Sequence, residues 1–303
     1  MKKILSTLKN SSRFLGHYWQ VTKPSLTRLV VLTSLAGAAV APGSLSFIAW
    51  ITLLLGSWGI VSSANAVNCV FERDVDAYME RTKTRPLVTG DLKAKPTLVF
   101  SLFLAALSLI LLFKHHGVMC AALGALGFVL YVSVYTPLKR ISMSALFIGA
   151  IPGAIPPLMG WAAVEPKLSV GAWILFAILF FWQLPHFIAI ALFRVNDYER
   201  AGLKTMPGEW GVELAQKHMF FYTAALLAIS LLPLFYGMAG IAYLVVQILI
   251  IGCSAALCVI AFLKIRTFNW NRVVFFASLL YLPLVFGAWV VDLWLVSRNL
   301  YVF

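Results

Sequence analysis

The strongest constraint on this chain is a series of nine mostly apolar stretches, each of roughly 18 residues or more, divided by short basic segments. They run approximately over 26–43, 47–68, 97–113, 117–135, 143–161, 170–193, 218–238, 240–262 and 273–296. Lipid offers the backbone no water, so a stretch of this length must satisfy its own N–H and C=O groups, and a helix does so. That holds even for 143–161, which carries Pro152, Pro156 and Pro157. With 61% of the 303 residues apolar and 12% charged, a disordered chain and an ordinary soluble domain are both excluded. The expected fold class is an all-α membrane protein, a single domain over 1–303 with nine transmembrane helices.

Lys and Arg number 24 against 11 Asp and Glu, a formal net charge of +13. Their placement orients the helices. With the N-terminus cytoplasmic, the inner segments hold 21 of the 24 basic residues and only Lys114, Lys167 and Arg298 fall outside. A missed or extra helix would invert the later loops, so this split supports nine spans and places the C-terminus outside. The first 22 residues have a basic start but no continuous apolar run before Pro24, so no cleaved signal peptide is expected. Ile4, Leu5, Leu8, Phe14, Leu15, Tyr18 and Trp19 among lysines read as a segment, 1–22, lying on the cytoplasmic leaflet. Cys69, Cys120, Cys253 and Cys258 show no CxxC spacing and read as small thiols without a metal or disulfide role. His115 and His116 fall in a short outer connection and are expected at the surface. Two inner loops are long, 71–95 and 194–217, which points to function at the cytoplasmic face.

Nine of the eleven acidic residues lie in those two loops or at their helix ends: Glu72, Asp74, Asp76, Glu80 and Asp91, then Asp197, Glu199, Glu209 and Glu213. If the second helix continues through the first loop, Asn68, Glu72 and Asp76 recur every four residues on one face. Like charges at that spacing repel unless something offsets them. One reading is a hard divalent cation, Mg²⁺ or Ca²⁺, taking oxygen ligands from the three. The other is a solvated helix end whose acids pair with Arg73, Arg81 and Lys83. The run Glu80-Arg81-Thr82-Lys83-Thr84-Arg85-Pro86 brings bases next to the acids, and acids for a metal beside bases for a polyanion suit a diphosphate. The chain has no GxxxxGK[ST] loop and no GxGxxG after a strand, so neither a soluble-type nucleotide site nor a nucleic-acid partner is expected. The diphosphate is then that of a lipid.

Asn68-x-x-x-Glu72-x-x-x-Asp76 resembles the first acidic motif of the UbiA-type intramembrane prenyltransferases, usually Asn-x-x-x-Asp-x-x-x-Asp. Within that family NCVFERDVDAYMERTKTRPL over 68–87 is similar to the haem O synthase branch. So are YTPLKR at 135–140, GAIPGAIPPLMGW at 149–161, FWQLPHF at 181–187 and DYERAG at 197–202. Two positions depart from the pattern. Glu72 stands where Asp is usual, and the second acidic motif is reduced to Asp197 with Asn196 before it and Glu199 after it.

The resemblance implies helices around a central cavity, with the two acidic loops at its cytoplasmic mouth in a bacterial inner membrane. It implies Mg²⁺-dependent transfer of a farnesyl group from farnesyl diphosphate to a vinyl group of haem B, giving haem O. A terminal oxidase, or a downstream haem-modifying enzyme, would take the product. Asn68, Glu72, Asp76 and Asp197 are then expected to hold Mg²⁺, directly or through water, and to be catalytic. Arg73, Arg81, Lys83, Lys139 and Arg140 are candidates for diphosphate oxygens. Asp74 falls about 240° around the helix from Asn68, at about 100° per residue, and so supports the site or lies outside it.

His186 is costly in a membrane span unless it faces a cavity or finds a partner. It is either a haem contact or an interhelical hydrogen bond. The glycines and prolines of 149–161 allow close helix packing, or leave a flat slot for a porphyrin face. Two other activities remain open. An aromatic acceptor, as in quinone biosynthesis, would use the same metal and diphosphate residues and leave His186 without a task. A cation-coupled transporter would place its acids near the bilayer midplane between repeats, whereas here they cluster at one face and no repeat is evident.

Overall fold

A computed structural model describes residues 14–263 and 268–297, and among these no strand forms. A helix over 14–21 precedes eight long ones: α1 Pro24–Val40, α2 Phe47–Phe71, α3 Ala94–Val129, α4 Ala145–Val164, α5 Val170–Phe193, α6 Val212–Ser230, α7 Ile241–Leu263 and α8 Phe268–Ser297. Part of the expected interfacial segment, with Ile4, Leu5 and Leu8, lies outside the described residues. Helix starts follow local chemistry. Pro24 opens α1, where its missing N–H costs nothing, and Ser46 caps α2 by accepting from Ala49 N at 3.2 Å.

Among the described residues six helices are long and apolar enough to cross a membrane, and two more, Pro24–Val40 and Ile241–Leu257, are apolar but shorter. One of the six, Ala94–Leu138, runs 45 residues, about 67 Å at 1.5 Å per residue and more than twice a hydrocarbon core of about 30 Å. Gly117 breaks it, with φ 80 and ψ −178, where the sequence separates its third and fourth apolar stretches. The difference between six helices and the nine expected spans therefore comes from one broken helix and two short ones. Among the described residues six helices, not nine, meet both the length and the hydropathy of a spanning helix.

Successive helices pack against one another from α1 to α8. In addition α4 lies on α1, and α8 returns to α5 and α1. Leu53, Leu112, Leu158, Trp161, Leu175 and Trp289 are buried in the shared core. Leu32, Phe103, Phe113, Ile248 and Leu280 point outward, as a lipid-facing surface requires.

The 149–161 stretch is used for packing. A Cβ on Gly160 would lie 1.7 Å from Ser34 O, and one on Gly37 2.2 Å from Pro157 O, so α1 and α4 touch backbone to backbone. The space beside Gly149 is filled by the Tyr135 ring and that beside Gly153 by the Gln183 side chain. Of the two readings of this stretch, close helix packing is the one its neighbours support. Gln183 also donates to Ala150 O at 3.1 Å, next to the proline-interrupted hydrogen-bond ladder of α4.

The outer end differs from expectation at His116. It is 8% exposed and its Nε2 lies 3.0 Å from Thr52 Oγ1, because α3 extends as far as its break at Gly117 and carries the ring inward against α2. Asp292 on α8 accepts from the N–H groups of Gly240, Ala242 and Tyr243 at 2.8, 3.1 and 2.9 Å, capping the start of α7 from another helix. Cys69, Cys120 and Cys253 are free thiols, and the Cys258 side chain lies outside the described residues.

Candidate active site

α2 carries Asn68 in its last turn and ends at Phe71. Glu72 departs from helical geometry (φ −103, ψ 6), and a short turn over Arg73–Asp76 resumes at once. Glu72 N still bonds Asn68 O at 2.9 Å and Asp76 N bonds Glu72 O at 2.7 Å, so the four-residue spacing survives the bend. Asn68, Glu72 and Asp76 are 1%, 4% and 3% exposed. Buried polar groups and charges must be paired, and the Asn68 amide and both carboxylates each meet a cation. Lys23 Nζ lies 2.5 Å from Asn68 Oδ1, and Arg85 Nη1 lies 2.5 Å from Asp76 Oδ2. The Lys139 ammonium forms an ion pair with Glu72 Oε1.

The Asn68 amide is oriented from its other side. Its Nδ2 donates to Thr136 Oγ1 at 3.1 Å, and Thr136 Oγ1 donates to Tyr131 O at 2.8 Å. Thr136 follows a π-helical turn, Leu130–Tyr135, a feature that occurs mostly as single turns and often at functional sites. The turn brings the Tyr131 and Tyr135 rings to 5.4 Å between centroids and leaves Lys139 Nζ 5.8 Å from the Tyr135 centroid.

The second loop joins this site from α5. It forms two short helices, Val195–Arg200 and Met206–Trp210. Leu203 packs with Val75 and Met79 of the first loop, partly covered by Tyr198, and Lys204 N donates to Lys139 O at 3.0 Å. Burial pushes the Tyr198 phenol up, while the charges of Arg81 and Arg194 pull it down. Glu72 and Asp197 also act on that phenol, so both loops share one electrostatic environment. Asp197 pairs with Arg194 at 3.3 Å and with Arg200. Beside it a cleft of about 430 Å³ is lined by Phe193, Arg194, Asn196, Asp197, Arg200 and Arg272.

The remaining candidates divide. Arg73, Arg81 and Lys83 are exposed, and Lys83 pairs with Glu80 at 2.6 Å. Arg140 grips both oxygens of Asp74 at 2.8 Å and donates to Phe71 O at 2.6 Å, closing the end of α2. The hydrogen bond from Arg140 holds the Asp74 carboxyl below its ordinary range. Burial pushes the Lys139 ammonium down, and Glu72 opposes that shift. Lys23, Arg85 and Thr136 belong to the site although the sequence pattern did not single them out. Arg85 ends the basic run 80–86, whereas Lys23 has as its local signal only the Lys-Pro corner before α1.

His186 is 7% exposed on α5, and its Nδ1 lies 2.7 Å from Ser278 Oγ on α8. Its ring stacks on Trp182 and lies against Phe275, each 4.8 Å away between centroids. The interhelical hydrogen bond of the sequence reading is therefore present.

Amide and carboxylate oxygens suit a hard divalent cation in kind. Among the described residues no three His, Cys, Asp or Glu side chains converge as a ready-made metal centre. Asn68, Glu72 and Asp76 supply one face of oxygens, and Mg²⁺ habitually completes its shell with phosphate oxygens and water. The donor set fits on those terms.

The chain belongs to the UbiA prenyltransferase family, whose model matches residues 30–296. It is an integral membrane prenyltransferase. Within the family it falls in the branch of the protohaem IX farnesyltransferases. The one from Myxococcus xanthus is 42% identical over 272 residues, covering 90% of this chain and 92% of its own. The one from Sorangium cellulosum is 41% identical over 274 residues, 90% and 96% of the two chains. The fold is shared with a structure of digeranylgeranylglyceryl phosphate synthase, at a TM-score of 0.78 and 16% identity over 92% of this chain and 98% of that one. It is shared also with a UbiA homologue from Archaeoglobus fulgidus bound to GPP and Mg²⁺, at a TM-score of 0.67 and 17% identity over 90% and 99%.

Proposed function

We propose that this chain transfers a farnesyl group from farnesyl diphosphate to a vinyl group of haem B, with addition of one water, giving haem O and diphosphate. The acceptor and donor are carried over from the protohaem IX farnesyltransferases it resembles over nine-tenths of its length. The observation that carries the chemistry is the buried face of Asn68, Glu72 and Asp76 with Lys139 and Arg85 against it. Oxygens for a metal and cations for an anion stand within one side chain of each other.

Asn68, Glu72, Asp76 and Asp197 hold Mg²⁺ in this reading. Bound there, Mg²⁺ neutralises negative charge on the leaving diphosphate. Lys139 stabilises that same charge from the protein side, with Arg73, Arg81 and Lys83 reaching in from the exposed rim. Arg140 acts through Asp74 and the end of α2, keeping the acidic face in place. As the allylic carbon–oxygen bond breaks, the positive charge left on the prenyl chain is shielded by the Tyr131 and Tyr135 rings. The vinyl carbon then bonds to the prenyl carbon, and water adds to the resulting haem cation with loss of a proton. His186, besides its hydrogen bond to Ser278, contacts the haem in this reading. The nine crossings, a cytoplasmic N-terminus, an outer C-terminus and placement in a bacterial inner membrane complete the reading.

The test is mass spectrometry of haem extracted after the purified protein is incubated with haem B, farnesyl diphosphate and Mg²⁺, beside a Mg²⁺-free control. A metal-dependent product carrying one farnesyl group and one water is expected. Unmodified haem together with prenylation of a small aromatic acid would move the activity to the quinone-type acceptor.

A further inference from the structure

Among the described residues Lys23 is the one non-glycine position with positive φ (φ 49, ψ 61). It also precedes Pro24. A proline ring drives the residue before it towards extended backbone, and left-handed backbone crowds any Cβ. Lys23 therefore sits where the chain would more readily place a glycine.

The corner that imposes this is held from several sides. Asn65, 3% exposed on α2, donates to Thr22 O at 3.4 Å and to Thr27 Oγ1 at 3.0 Å. Thr27 Oγ1 donates to Thr22 O at 2.7 Å, and Thr22 Oγ1 to Trp19 O at 2.7 Å. Lys23 N bonds Gln20 O and Thr27 N bonds Lys23 O, both at 3.0 Å. These bonds fix the angle between helix 14–21 and α1. One turn beyond Asn65 is Asn68, and the Lys23 ammonium reaches its Oδ1 at 2.5 Å.

That partner is neutral. Lys139 faces the carboxylate of Glu72 and Arg85 that of Asp76. For Lys23 no carboxylate lies within ion-pair distance among the described residues, and it is close enough to Lys139 for the two to repel. Strained backbone that its surroundings over-determine clusters at ligand sites. An ammonium held by such a corner, against an amide rather than a counter-ion, is poised for an anion that arrives from outside.

We propose that Lys23 is a diphosphate-binding residue, aimed by the Asn65-locked corner, whose ammonium leaves Asn68 Oδ1 for a diphosphate oxygen when the prenyl donor binds. The proposal rests on the reading that this site takes a prenyl diphosphate. It adds a cation from the first helical corner, outside both acidic loops. Release of Asn68 Oδ1 in the same step frees that oxygen for the metal.

The test uses the full chain in detergent or lipid discs with Mg²⁺, titrated calorimetrically with farnesyl diphosphate and separately with inorganic diphosphate, alongside thermal unfolding. Lys23→Met is expected to weaken both ligands about tenfold or more, as loss of a charged hydrogen bond does, and Lys23→Arg to restore most of that loss. Lys23→Gly, which relieves the backbone, is expected to melt above Lys23→Met and yet bind no better. If Lys23→Met and Lys23→Gly bind both ligands as the wild type does, the proposal is overturned. A glycine variant that melts below the methionine one overturns it too, since the corner would then owe its shape to packing. A wild type that binds neither ligand fails at the earlier step, the prenyl-diphosphate reading.

Discussion

The Lys139 ammonium and the Glu72 carboxylate form an ion pair in which the lysine side chain is 20% and the glutamate side chain 5% exposed. Among the described residues Glu72 Oε1 has no partner besides that ammonium. Removing one member strands the other, which typically costs about 3–5 kcal/mol for a buried pair. Lys139→Met should therefore lower the unfolding temperature, and adding Glu72→Gln should recover much of the loss while turnover stays low. A single variant as stable as the wild type would show that water reaches Glu72 freely.

Asp76 takes Arg85 on one oxygen and is 3% exposed. Asp76→Asn keeps the volume and an acceptor for Arg85 but not its counter-charge, so the fold should persist with a lowered unfolding temperature. Turnover is expected to fall by about 10²–10³-fold, the size of a lost electrostatic contact to the transition state. Steady-state rates across a Mg²⁺ titration decide it, and full activity at every concentration would remove Asp76 from metal binding.

The Asp74–Arg140 pair gives a pH dependence with a fixed sign. Asp74 titrates below its ordinary value of 3.8 when folded, so the folded chain binds fewer protons in that window than the unfolded one. Its stabilisation is present above 3.8 and is lost as pH falls through the lowered value. The Asp74 side chain is 61% and that of Arg140 35% exposed, so solvent screens the pair and the amount is less than about 1 kcal/mol. Unfolding measured from neutral to acid pH should separate wild type from Asp74→Asn near neutrality and bring them together in acid. Parallel curves would count against the pair.

His186 offers a split between substrates. His186→Ala should weaken haem binding, followed by visible absorption, by about tenfold, the order of one polar contact, and leave farnesyl diphosphate affinity unchanged. Unchanged haem binding and turnover would confine the ring to its hydrogen bond with Ser278.

The acidic face was legible because a four-residue period survives a bend in the backbone, and burial follows from the same geometry. The two apolar stretches on either side of Gly117 were legible for an equally local reason, the length of chain lipid can hold. The cations were harder. Arg81 and Lys83 are near the acids in sequence but point to solvent, while Arg85 turns inward because of the short helix Pro86–Thr89 that follows it. Lys23 arrives from a different helix through a corner built by Asn65, and no period in the sequence encodes a contact of that kind. His116 was misplaced for want of the helix end that carries it to Thr52.

Asp292 caps the start of α7 from α8, the helix that follows it in the chain. During synthesis the beginning of α7 emerges before its cap exists, its first amide groups still without their carboxylate acceptor. Those groups are satisfied only once α8 has been made and has folded back. The last two helices therefore complete one another as a hairpin, and a chain truncated before Asp292 would leave the start of α7 uncapped.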